Sequence, residues 1–93
     1  MNVNEVIWPE PILIKLFTYQ SDHFTPEESY DYIVQLILET EDALLNPILG
    51  KTYVEEYGEF KGFSRQVVKK FRIYYQVITN NLIIAAVLFP GEQ

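Results

Sequence analysis

The stretch Arg65-Gln66-Val67-Val68-Lys69-Lys70-Phe71-Arg72-Ile73-Tyr74-Tyr75-Gln76-Val77-Ile78-Thr79-Asn80-Asn81-Leu82-Ile83-Ile84-Ala85-Ala86-Val87-Leu88-Phe89 decides the fold. It is dense in β-branched and aromatic residues, and it is far longer than the usual strand of about 5–6 residues. Two interruptions divide it. Lys69-Lys70 sets two charges side by side, and Thr79-Asn80-Asn81 offers asparagine, which tolerates positive φ. The pattern predicts strands over residues 65–68, 71–78 and 82–89, joined as an antiparallel meander. The last of these is apolar on both faces, as expected of a central strand covered by helices on one side. Pro90-Gly91 ends it.

Working upstream, Lys51 to Phe60 is polar with interspersed Tyr53, Val54 and Tyr57, which reads as a loop with room for one short strand, bracketed by Gly58 and Gly62. Before it stands the clearest local signal in the chain. Thr25-Pro26-Glu27-Glu28 is a capping box with proline at the first helical position and acids against the positive helix end. Tyr30, Ile33, Val34, Ile37, Leu44 and Leu45 then form an apolar stripe, with Leu36, Leu38 and Ala43 widening it. The helix should stop at Asn46-Pro47, because a residue before proline avoids the α region. A shorter helix is predicted from Pro9-Glu10-Pro11 to about Tyr19 or Gln20, antiparallel to the long one. Residues 3–8 suit an opening strand.

The expected architecture is therefore α+β: an N-terminal strand and an α-helical hairpin packed on one face of a mainly antiparallel three- to four-stranded sheet. Ninety-three residues accommodate one such domain. Seven Tyr and six Phe supply the bulky side chains a small core needs. The absence of cysteine excludes a disulfide framework, a thiolate nucleophile and a Cys-based zinc site. No apolar run approaches the ~20 residues of a membrane span, and no signal peptide is visible, so the expected location is the cytoplasm. No cofactor or metal is implied.

Charge is unevenly distributed. Residues 1–46 carry nine acids and a single base, Lys15, whereas residues 47–93 carry four acids and six bases. Lys61, Arg65, Lys69, Lys70 and Arg72 follow one another without an intervening acid. Such a patch attracts an anionic partner even on a chain of net charge −6, because nearby charge sets the local field. It also suits a solvated strand edge protected from aggregation by lysines. His23, the only histidine, reads as a solvated loop residue, and Phe60 and Phe63 as core packing.

The order of elements, with Asn46-Pro47-Ile48-Leu49-Gly50 after the long helix and the Arg- and Tyr-bearing strands 64–77, resembles the RelE/ParE superfamily of type II toxin–antitoxin toxins. The resemblance implies a β-α-α-β-β-β fold and a cognate antitoxin as partner. In the ribonuclease branch, basic residues hold the scissile phosphate, and an Arg with a Tyr or His past the last strand aids proton transfer. Here that end reads Phe89-Pro90-Gly91-Glu92-Gln93, with an acid where relatives often carry Arg. The resemblance thus points to the ParE-like, plasmid-stabilisation branch, which acts by protein binding and includes inhibitors of DNA gyrase, or to a degenerate toxin that works by binding protein. RNA and the ribosome are disfavoured by the net charge. Lys61, Arg65, Lys69, Lys70 and Arg72 are the candidate target- or phosphate-binding residues, and no catalytic residue is assigned. A ribonuclease would need Tyr57, Tyr74 or Tyr75 beside Arg65. An unrelated protein-interaction module would need neither.

Overall fold

A computed structural model describes residues 5–46 and 53–92. Chain order is β1 (Glu5–Ile7), α1 (Glu10–Leu16), α2 (Pro26–Leu45), β2 (Tyr53–Val54), β3 (Ser64–Val68), β4 (Phe71–Ile78) and β5 (Asn81–Leu88). The strands form one mixed sheet in the order β1-β5-β4-β3-β2, with β1 parallel to β5 and the other pairs antiparallel. The expected meander is present as β3, β4 and β5. Five strands replace the three or four anticipated, since the two-residue β2 pairs with the start of β3. The turn expected at Ile48-Leu49-Gly50 lies outside the described residues.

Both hairpin turns have two residues, and all four of those residues carry positive φ: Lys69 at 51°, Lys70 at 69°, Thr79 at 51° and Asn80 at 65°. This is the type I′ geometry whose twist matches that of the flanking strands. Asparagine adopts it cheaply; lysine and threonine do not.

Strand β5 shows no simple alternation because it contains a bulge. Tyr74 faces Ala86 whereas Tyr75 faces Ile84, so Ala85 is an extra residue without an opposite number. The bulge changes phase: Leu82 and Ile84 are buried before it and Val87 after it. These side chains, with Phe71, Ile73 and Tyr75 from β4, make the sheet's contribution to the core. Leu16 of α1 and Ile33 and Leu36 of α2 complete it from the same face. Burying each such side chain contributes about 1.5–3 kcal/mol.

The capping box on α2 forms as anticipated, Thr25 Oγ1 accepting from the Glu28 N–H and the Glu28 carboxylate accepting from the Thr25 N–H. The buried stripe of α2, however, is rotated from the expected one. It runs through Ser29, Ile33, Leu36 and Thr40, while Tyr30 and Leu45 are exposed. Small hydroxylated residues let the helix lie close to its neighbours, and Thr40 satisfies its hydroxyl by donating to the Leu36 carbonyl at 2.7 Å. Helix α1 ends at Leu16, earlier than the predicted Tyr19 or Gln20. Its last turn tightens into i→i+3 bonds from Thr18 to Lys15 and from Tyr19 to Leu16, which frees the Tyr19 ring to pack on Tyr32, Phe71 and Phe89.

Candidate functional site

The alternation of β3 and β4 sends Arg65 and Arg72 to the face of the sheet opposite the helices, beside Val67 and Tyr74. The five candidate cations do not converge there. Arg65 and Arg72 are diagonal neighbours on this face, but Arg65 turns to Glu55 and Arg72 to Glu92, while Lys61 lies on the loop before β3, at one end of that strand, and Lys69 and Lys70 in the β3–β4 turn at the other.

At the first end Arg65 serves its own chain. Its Nη1 donates to Glu55 Oε2 at 3.3 Å, and its guanidinium lies over the Tyr53 ring at 4.3 Å. Directly opposite it in register is Tyr74. The Tyr74 ring is buried beneath Phe60, stacked at 4.3 Å, so Phe60 packs on the outer face and not in the helix-side core. Lys61 is exposed on the loop before β3, and Tyr57, on the same loop, is 80% exposed. Tyr75 points into the core. His23 is exposed, as anticipated.

At the second end Lys69 leans onto α2, its Nζ 3.4 Å from Glu39 Oε2 and 4.9 Å from the Tyr32 ring centroid. Lys70 is exposed at the turn. Beyond β5, Phe89-Pro90-Gly91-Glu92 forms a type II turn: Gly91 has φ +81°, and the Glu92 N–H donates to the Phe89 carbonyl at 2.9 Å. The turn folds Glu92 back over the strand end. Its Oε1 accepts from the Phe89 N–H at 2.8 Å, and Lys15 Nζ bridges both carboxylate oxygens at 2.9 and 3.0 Å. Lys15 also donates to the Val87 carbonyl at 2.6 Å. On the other side of the strand, Arg72 Nη2 donates to the Glu92 carbonyl.

Glu92 is thus more than a charge that repels phosphate; it ties α1, β4 and β5 together. The hydrogen bond from Lys15, then that from the Phe89 N–H, then the attraction of Lys15 and Arg72 outweigh desolvation and hold its carboxyl below the ordinary value of 4.5. A carboxyl depressed by folding stabilises the fold above its unfolded pKa, and that contribution is lost as pH falls through the folded value. Glu92→Gln should therefore be less stable than the parent at neutral pH, with the difference shrinking below about pH 4.5. Urea titrations of both proteins across this range check it, and a difference that stays constant with pH contradicts it.

Lys15 is the functional candidate that reading the residues for a basic run overlooks. Its signal is its isolation, the single base in an acidic half. A cleft of about 160 Å³ between the end of α1 and the start of α2, lined by Phe17, Tyr19, Pro26 and Tyr30 among others, is smaller than ordinary ligand pockets of about 300–1,000 Å³.

No family model, curated protein or solved structure matches this chain.

Among the described residues, no helix is long and apolar enough to cross a membrane. Near the second end, Lys69 and Lys15 are each matched by one acid of the same chain, Glu39 and Glu92, an arrangement suited to exchange with acids of another molecule.

Proposed function

We propose that this chain works by binding a protein, as the ParE-like toxin component of a type II toxin–antitoxin module whose obligate partner is a cognate antitoxin, with DNA gyrase as the target class. The observation that carries the reading is the one-sided helical cover of the sheet. The helices bury Leu16, Ile33 and Leu36 on one face, while the other, where Phe60 covers Tyr74, leaves Val67 and Ile78 about half exposed. A partner segment with acids flanking apolar anchors matches that face and its basic end. The order of elements supports the family assignment, and the absence of a shared focus for Lys61, Arg65 and Arg72 supports binding over cleavage.

Induced expression tests the reading. The expected result is growth arrest with a DNA-damage response, relieved by co-expression of the neighbouring small reading frame. Normal growth contradicts toxicity and leaves a degenerate member of the family or a protein-interaction module. One observation favours a second reading, an mRNA endoribonuclease: Tyr74 lies opposite Arg65. Phe60 covers that phenol, so ribosome-dependent cuts that vanish on Arg65→Ala are not expected. Finding them would establish the nuclease in place of the binding protein.

A further inference from the structure

The group that Glu92 occupies has the makings of a receptor. Two donors from different parts of the chain, Lys15 Nζ and the Phe89 N–H, converge on one carboxylate within 3.0 Å. Charged hydrogen bonds of this kind are among the stronger ones. The carboxylate they hold belongs to the adjoining turn, and the pair is accessible, with side chains 35% and 37% exposed for Lys15 and Glu92. Beside it the Arg72 guanidinium has five N–H donors. Among the described residues it donates to the Glu92 backbone carbonyl. Its planar fork is built to take a carboxylate through two donors.

We infer that Lys15 and the Phe89 N–H form a carboxylate-binding site, flanked by Arg72 across the strand, that is filled in the free protein by Glu92 and in the complex by an acidic side chain of the partner polypeptide. Glu92 acts as a built-in competitor that keeps the site from binding stray anions. The exposed Lys70 lies two residues from Arg72, and Val67 stands opposite Arg72 in register. The fitting ligand is therefore a peptide with neighbouring acids and an apolar side chain, in preference to a bare phosphate. Lys70 guides the approach, and Val67 supplies the apolar contact.

This inference rests on the protein-binding reading for the nature of the ligand, but its test does not require the natural partner. Labelled Glu92→Ala and the parent protein are titrated, with the Phe89 amide and the Lys15 ammonium followed by nuclear magnetic resonance. The probes are acetate, inorganic phosphate and a short peptide of alternating Glu and Leu. The expected result is saturable shifts of both groups in Glu92→Ala, with the peptide bound at least ~tenfold more tightly than by the parent, equivalent to about 1.4 kcal/mol. The shifts should disappear in Glu92→Ala combined with Lys15→Met. If Glu92→Ala is unfolded, Glu92→Gln carries the same comparison, since its neutral amide competes poorly for Lys15. A folded variant whose Phe89 amide ignores acetate and peptide overturns the site. Phosphate binding tighter than the peptide overturns the choice of ligand. Neither failure touches the growth-arrest test, and normal growth on expression leaves a positive titration intact.

Discussion

Phe71→Ala is expected to lower the free energy of unfolding by about 3–5 kcal/mol, the range for removing a fully buried phenylalanine. Phe71 opens β4 directly after the Lys69-Lys70 turn and is completely buried. Its ring centroid lies 5.1 Å from that of Tyr19, 5.6 Å from that of Phe89 and 6.4 Å from that of Tyr32. Truncation therefore removes a hydrophobic side chain and also leaves three rings facing a void. Those rings belong to the segment after α1, to α2 and to the end of β5, which have different backbones and cannot all move inward to fill it. Domains of this kind typically have about 5–15 kcal/mol in total, so a loss of this size brings the variant to the edge of unfolding at ambient temperature. Urea denaturation followed by tryptophan fluorescence measures it. Trp8 is a suitable reporter, half-buried against the core with its Nε1–H donating to Glu41 at 3.0 Å. A loss below about 1 kcal/mol contradicts the placement of Phe71 at the centre of the aromatic cluster.

Lys70→Gly is expected to act in the opposite direction, stabilising the fold by about 1 kcal/mol. A left-handed conformation costs an L-residue about 1–2 kcal/mol relative to glycine, partly offset by the greater freedom of glycine in the unfolded chain. Lys70 adopts φ 69° with an exposed side chain, so the substitution relieves the strain and removes no packing. Lys69→Asn should gain less, because Lys69 also loses its contacts with Glu39 and the Tyr32 ring. The measurement is a shift in the urea midpoint at constant slope. Destabilisation by Lys70→Gly contradicts the turn geometry. Strain retained where Asn-Gly would be cheaper is often associated with function. On the binding proposal the same substitution weakens capture of an acidic partner, so stability and affinity move in opposite directions.

The meander, the long helix and its cap were legible because each rests on local rules. The Lys69-Lys70 break, the limits of α2 and the start of β4 follow from turn chemistry, capping and the residue before proline. What was not legible depended on partners distant in sequence. The rotation of α2 is set by tertiary packing, which puts Ile33 and Leu36 in the core with the sheet and buries Ser29 and Thr40 while leaving Tyr30 and Leu45 exposed. The bulge at Ala85 leaves no mark in a strand apolar on both faces. Glu92 was legible as an acid in an unexpected place, but its meaning lay in Lys15, 77 residues away along the chain. The basic run looked continuous because neighbours in sequence were counted as neighbours in space. Strand alternation and a hairpin separate Arg65 from Lys69 and Lys70.

The parallel pairing of β1 with β5 has a consequence for how the molecule comes into being. Residues 5–7 find their partners at residues 81–83, so the first strand to leave the ribosome is among the last to be paired. The hairpins of β3, β4 and β5 close over short loops, while joining β1 to them requires closing a loop that spans most of the chain, at a correspondingly larger entropic cost. During synthesis α2 is complete well before the sheet that buries its apolar face, and an acidic, capped helix is suited to that wait. A nascent chain halted before residue 81 lacks β5, the strand that joins β1 to the rest of the sheet, so the complete fold is gained late.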